Sequence, residues 1–209
     1  MKIPTIYDLK PAFQNLLRPF SKFLVKIGIT ANQVTIFAAL ISIAAGVIIY
    51  LNNDVHSIYF LLPVIFFIRM ALNAIDGMLA REFHMKSNLG AILNELGDVI
   101  SDAALYLPFA FIFTGFSSPL AVLFVILAIL SEMTGVISIQ IGASRRYDGP
   151  MGKSDRAFVV GTLAFFMGFG IQKFYWFSTL TFYLFLFLNA LIVFTIMNRI
   201  KNSLKEAAE

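Results

Sequence analysis

The chain has 209 residues, 59% of them hydrophobic and 13% charged, with a formal net charge of +4 and a mean hydropathy of +0.82. Such a composition excludes a soluble globular domain and points to a chain embedded in lipid. There is no cysteine, which also excludes disulfides and thiolate metal sites.

The leader, residues 1–32, lacks the compact apolar stretch and small-residue cleavage site of a secretory signal. Instead Ile6, Leu9, Phe13, Leu16, Leu17, Phe20, Phe23, Leu24 and Ile27 recur at helical spacing, with Lys10, Arg18, Lys22 and Lys26 between them. A basic amphipathic helix of this kind lies in the headgroup plane and is drawn to anionic lipid. Pro11 is expected in its first turn, and Pro19 is expected to kink or divide it.

Six apolar stretches follow, at 33–51, 57–78, 89–113, 118–141, 155–172 and 174–198. Each approaches the ~20 residues a helix needs to cross the hydrocarbon core. They are too long and too evenly apolar for barrel strands. The expected fold is all-α: a polytopic membrane protein with six transmembrane helices preceded by an amphipathic interfacial helix. Its expected parts are the leader (1–32), the six-helix domain (33–198) and a short polar tail (199–209).

Six spans put both termini on one side, and fourteen of the sixteen Lys and Arg then fall on that side. Lys173 alone lies opposite, and Arg69 lies inside a span. By the positive-inside rule the termini and the even-numbered loops are cytoplasmic, as in a bacterial inner membrane. The far loops are short and nearly uncharged, and a nucleic-acid partner is not expected.

Ionisable residues inside spans must be paired, wet or functional, and here they gather in one place. Asn73, Asp76, Gly77 and Ala80 share a face at the end of the second span; Gly90, Asn94, Asp98 and Asp102 share a face at the start of the third. A short polar link makes the two helices antiparallel neighbours, so the oxygen ligands converge near the cytoplasmic surface. Carboxylates and amides without His or Cys suit magnesium, manganese or calcium. Gly77, Ala80, Gly90 and Gly97 would admit close approach of helices or of a bulky phosphate.

These residues resemble the signature of the CDP-alcohol phosphotransferase (CDP-alcohol phosphatidyltransferase) family, D-x2-D-G-x2-A-R-x8-G-x3-D-x3-D. Here it reads Asn73-x2-Asp76-Gly77-x2-Ala80-Arg81-x8-Gly90-x3-Asn94-x3-Asp98, with every spacing kept and asparagine at the first and third aspartates. Thr30-Ala31-Asn32-Gln33-Val34-Thr35 is similar to a stretch these enzymes carry ahead of their first span. The resemblance implies transfer of a phospho-alcohol group, in phospholipid biosynthesis, from a CDP-linked donor to an alcohol acceptor with release of CMP. It implies a divalent metal, magnesium or manganese, held by Asn73, Asp76, Asn94 and Asp98, with Asp98 also the base toward the acceptor. Gly77, Ala80, Arg81 and Gly90 would contact the donor, and Lys153, in the basic loop Ser144–Arg156, a phosphate of the acceptor or lipid. CDP-diacylglycerol is the expected donor among membrane lipids, and a homodimer is what the family suggests.

Several alternatives stay open. A soluble CDP-alcohol with a lipid acceptor fits the same chemistry. A member weakened by Asn73 and Asn94 would act in lipid binding or assembly, although Glu95 or Asp102 would be substitute ligands. An ion-coupled transporter is disfavoured by acids clustered at one face, with no repeat of the motif in 118–209. Arg69 is expected to pair with Asp102 or Glu132, the loop cations also serve plain topology, and His56 and His84 read as solvated.

Overall fold

Gly28 closes the first helix. Its φ of +82° is the left-handed conformation of a helix stop, and the Ile29 and Gly28 amides bond back to the Leu24 and Val25 carbonyls at 2.9 and 3.0 Å. Two residues later Thr30 and Gln33 cap each other reciprocally: Thr30 N–H donates to Gln33 Oε1 at 2.9 Å, and Gln33 N–H to Thr30 Oγ1 at 3.3 Å. A stop followed at once by a start turns the leader sharply into the first apolar helix.

The computed structural model describes residues 6–208. Its helices are α1 (Ile6–Lys26), α2 (Ala31–Leu51), α3 (Leu61–Glu82), α4 (Asn88–Tyr106), α5 (Pro108–Ile112), α6 (Ser117–Ile137), α7 (Lys153–Met167) and α8 (Phe177–Ala207). Short 3-10 turns precede α3, extend α6 and follow α7, and the described residues contain no strand. The chain forms two compact units: Met1–Ser42 with Ile65–Ser101, and Ile43–Val64 with Asp102–Glu209.

In the first unit Leu24 of α1 is buried with Ala31, Val34, Ile75 and Leu79, and Arg18 bonds Glu82 at 3.0 Å. That hydrogen bond and the carboxylate charge hold the exposed Arg18 guanidinium above its ordinary pKa. Helix α1 runs unbroken through Pro19, so the expected division does not occur; packing of Leu17, Ser21 and Leu24 holds the turns on either side. Pro11 falls beyond the first described turn, because the helix already exists at Ile6. Leu16, Phe20, Phe23 and Ile27 form a second apolar stripe that is exposed.

In the second unit Pro108, which has no N–H, separates α4 from α5, so the stretch 89–113 is two helices rather than one. Phe113, Phe124, Phe185 and Tyr106 pack edge to face, with ring centres 5.2–5.3 Å apart. Gly46 of α2 meets the Ala104 carbonyl of α4 so closely that a Cβ would overlap it. Helix α8 continues to Ala207 with Arg199 and Ser203 buried. His56 is half-buried, its Nδ1 2.6 Å from Gln172 Nε2, rather than solvated, because the turn before α3 folds against the turn after α7. His84 is exposed, as expected.

The protein is all-helical, and four helical segments are long and apolar enough to cross a membrane: Ala31–Leu51, His56–Glu82, Ser117–Ile141 and Phe177–Ala207. Their outward side chains, such as Phe37, Leu40, Leu130, Phe187 and Phe194, are exposed and apolar, while Ser42, Asp76, Ser131, Glu132 and Asn189 are buried. That inversion of the soluble pattern is what lipid demands. Helix α4 carries Glu95, Asp98 and Asp102, and α7 has only 15 residues, so neither meets the same measure.

Candidate active site

Residues 83–87 link α3 to α4 and bring their ends side by side in the first unit. Ser87 starts α4 by accepting the Gly90 N–H at 2.9 Å. Gly90 has no side chain for a reason: a Cβ there would lie 2.7 Å from Asn32 Oδ1, so glycine lets the start of α2 rest on the start of α4. Further along, the open side of Gly97 lies against Thr35, whose Cγ2 would stand 3.6 Å from an added Cβ.

This close packing delivers Thr35 to the motif. Thr35 Oγ1 donates to Asp76 Oδ2 at 2.9 Å, and both residues are buried. Across from them, Asn73 Nδ2 donates to Asp98 Oδ1 at 3.4 Å, and Arg69 Nη2 stands 3.8 Å from the same oxygen. The Arg81 guanidinium folds back over Gly77, 2.9 Å from where a Cβ would sit. Asn94 is half-buried.

Of the four expected ligands, Asn73 is joined to Asp98 across α3 and α4, and Asp76 is bonded to Thr35 of α2. Ala80 is packed with the Leu24–Leu79 apolar cluster. Lys153 opens α7 in the second unit. Arg69 stands close to Asp98, an acid the sequence reading did not name for it, since seven residues of helix set its depth but not the acids it faces. Thr35 and Asn32 were not singled out by the sequence reading; their signal is the Thr30–Thr35 stretch, which places both at the head of α2.

The donor set is two carboxylates and two amides, so among the described residues no three His, Cys, Asp or Glu converge. Oxygen-only donors fit magnesium or manganese. Asn73 turns its NH2 toward Asp98, which leaves its carbonyl oxygen available to a cation. Asp76 and Asp98, offset by Arg69, leave a local charge that one divalent ion more than balances.

The second unit holds a separate buried network. Arg156, fully buried, binds Asp102 at 3.3 Å and Glu132 at 2.9 Å. Glu132 also meets Arg145 at 3.6 Å and Arg199 at 3.5 Å. Arg146 pairs with Asp148 at 3.1 Å and with Glu206, and Asn202 donates to Asp148 at 2.7 Å. Asp102, a substitute ligand in the sequence reading, is thus an ion-pair partner of Arg156.

An all-helical membrane chain with a polar, acidic pair of helix ends is the class these features define. The chain belongs to the CDP-alcohol phosphatidyltransferase family, whose model matches residues 28–197, and is a transferase of that family. It is 42% identical over 205 residues to the inner membrane protein YnbA of Escherichia coli (strain K12), covering 98% of this chain and 99% of that one. Over 97 residues it is 34% identical to the archaetidylinositol phosphate synthase of Pyrococcus horikoshii, covering 46% of this chain and 49% of that one. The fold is similar to that of the Mycobacterium tuberculosis phosphatidylinositol phosphate synthase in complex with manganese and citrate, with a TM-score of 0.72 at 20% identity, covering 88% of this chain and 87% of that one. The structure of the same synthase with CDP-DAG bound also gives 0.72 at 20% identity, covering 88% of this chain and 92% of that one.

Proposed function

We propose that the chain is an integral inner-membrane phosphatidyltransferase of phospholipid biosynthesis, taking CDP-diacylglycerol as donor and an alcohol as acceptor and releasing CMP. The observation that carries this reading is the joined motif: Asn73 on Asp98 at 3.4 Å and Thr35 on Asp76 at 2.9 Å. That Asn73, Asp76 and Asp98 are each held by a neighbouring group supports a prepared site for a charged ligand. The CDP-DAG complex of a protein with the same fold supports the donor.

In this reading Asp76 and Asp98, with the amide oxygens of Asn73 and Asn94, hold a divalent metal, magnesium or manganese. Bound there, a divalent ion would supply charge neutralisation on the donor pyrophosphate. Asp98, with Arg69 beside it, accepts the proton of the attacking hydroxyl. Arg81, exposed over Gly77, meets a donor phosphate, while Gly77 and Gly90 keep the backbone approachable. Asparagine at positions 73 and 94 makes the site a one-metal variant of the family pattern. Six spans, with α1 in the cytoplasmic headgroup plane, put this site at the cytoplasmic surface.

The test is incubation of purified protein with CDP-diacylglycerol, manganese and a panel of alcohols, followed by mass spectrometry of the lipids. A new phosphodiester lipid and equimolar CMP, both abolished by chelator, are expected. An unchanged lipid pool with every alcohol would contradict the proposal.

A further inference from the structure

Three connections that carry no part of the motif converge within the second unit: residues 52–60 before α3, 113–116 between α5 and α6, and 168–176 between α7 and α8. They lie at the ends of α7 and α8 away from Arg156 and Arg199. Between them is a cavity of about 340 Å³, lined by Asn53 and Tyr59 from the first, Phe113 and Thr114 from the second, and Gln172 and Phe174 from the third. Its walls are tied together. Tyr59 donates its hydroxyl to the Asn53 carbonyl at 2.8 Å, Thr181 Oγ1 donates to Ser117 Oγ at 3.0 Å, and Ser117 in turn donates to the Ser178 carbonyl at 3.2 Å. Phe113 packs edge to face on Phe177 and Phe185. A cavity braced in this way is formed before a ligand arrives.

The lining decides the chemistry of the occupant. Among the described residues no Lys, Arg, His, Asp or Glu lines the cavity, so a charged group would enter without a counter-ion. The polar lining is amide and hydroxyl. Gln172 Nε2 stands 2.6 Å from His56 Nδ1, while Gln172 Oε1 is buried with no hydrogen-bond partner among the described residues. A buried acceptor of this kind calls for a donor such as a hydroxyl. The volume falls at the low end of the roughly 300–1,000 Å³ of small-molecule sites, enough for a headgroup and too little for a whole lipid. Around the cavity Phe116, Phe174 and Tyr175 are exposed, and the Trp176 ring stacks on Phe174 at 5.8 Å. Three membrane-length segments, His56–Glu82, Ser117–Ile141 and Phe177–Ala207, begin here. The mouth therefore sits at the level where headgroups meet acyl chains and where aromatic side chains gather.

We infer that this cavity binds the uncharged, hydroxyl-bearing headgroup of a membrane lipid, a glycerol on acyl chains, with the chains lying outward along the exposed apolar side chains. The site shares no residue with the Asn73–Asp98 motif, and the inference holds whether or not the transferase proposal does. A phosphate headgroup would find no cation in the lining. Free glycerol offers the same hydroxyls without the chain, so affinity separates the two sources.

Trp176 is the sole tryptophan of the chain, and its stacking on the cavity-lining Phe174 supplies the readout. Full-length protein in phosphatidylcholine nanodiscs is titrated with oleoylglycerol, with its 3-phosphate and with free glycerol. Oleoylglycerol should shift Trp176 emission saturably, with a single lipid bound per chain, and the other two should each need at least about tenfold more. Thr114→Phe, which fills the cavity, should abolish the shift. Gln172→Leu, which removes the unsatisfied amide, should weaken binding about three- to tenfold. A shift that never saturates, or that survives in Thr114→Phe, overturns the inference, because the lipid then acts as bulk bilayer. Tighter binding of the 3-phosphate overturns it too, and glycerol acting at the same concentration as oleoylglycerol overturns the lipid assignment. Should Thr114→Phe not fold, native mass spectrometry of the wild type decides: one oleoylglycerol retained per chain over equimolar phosphatidylcholine upholds the inference, and none retained overturns it.

Discussion

Thr35 and Asp76, 41 residues apart, share a buried hydrogen bond of 2.9 Å that ties the head of α2 to the motif on α3. Replacing Thr35 by Val keeps the shape and removes the donor. We expect a loss of about 1–3 kcal/mol in stability, the range for taking a partner from a buried polar group, with a larger fall in transfer rate than Thr35→Ser shows. Thermal unfolding in detergent and CMP release measure the two effects. An unaffected rate in the valine variant would mean that Asp76 needs no help from α2.

Asn73→Asp with Asn94→Asp restores the family pattern, and the structure sharpens what should follow. Asn73 now donates to Asp98, so an aspartate at 73 would set two carboxylates about as close as the present 3.4 Å bond. Without metal the double variant should be less stable than the wild type, through like-charge repulsion; with magnesium or manganese it should gain more in melting temperature than the wild type does. Melting curves with and without metal check this, and equal metal-induced shifts would show that the asparagines are not ligands.

The meeting of Asn73 with Asp98 was legible because helical spacing puts each on the motif face of its helix and a short link makes the faces meet. The Thr35 contact was hidden because a lone hydroxyl on another helix carries no periodic signal toward its acceptor. The contact of Arg69 with Asp98 was not named for a related reason: distance along a helix says nothing of rotation toward a neighbour. Arg156 was counted among loop cations, yet it starts the buried face of α7, and a count of charges by loop cannot distinguish an exposed arginine from one folded inward. The run of apolar residues across Tyr106–Phe113 concealed the break that Pro108 imposes. The helical identity of the chain was plain from its apolar stretches, which are too long and too evenly apolar for barrel strands, the other structure that satisfies a backbone in lipid.

Arg156→Met should destabilise the second unit by about 3–5 kcal/mol, the cost of removing one partner from a buried pair, because Asp102 and Glu132 both lose it. Arg156→Lys should recover part of this. Replacing Arg156 and Asp102 together with apolar residues, which leaves Glu132 to Arg145 and Arg199, should be milder than the single change. Detergent-solution melting of the three variants tests this ordering.

The exposed stripe Leu16, Phe20, Phe23 and Ile27 should lie in the membrane interface. With Trp176 replaced by Phe, a tryptophan introduced at Phe23 should be quenched by brominated lipids whose bromines sit about 5–10 Å below the headgroups. Emission insensitive to bromine at every depth would remove the stripe from the lipid.

The account turns on Asp98 as a metal-dependent base for transfer from CDP-diacylglycerol. The most direct measurement is manganese-dependent CMP release by wild type and by Asp98→Asn, which keeps the volume beside Arg69 and removes the charge. The account predicts manganese-dependent release by the wild type and a loss of about 10²–10⁴-fold in the variant, with both proteins folded by melting temperature. Release by Asp98→Asn at a rate near that of the wild type, or release by the wild type that ignores manganese, would contradict it.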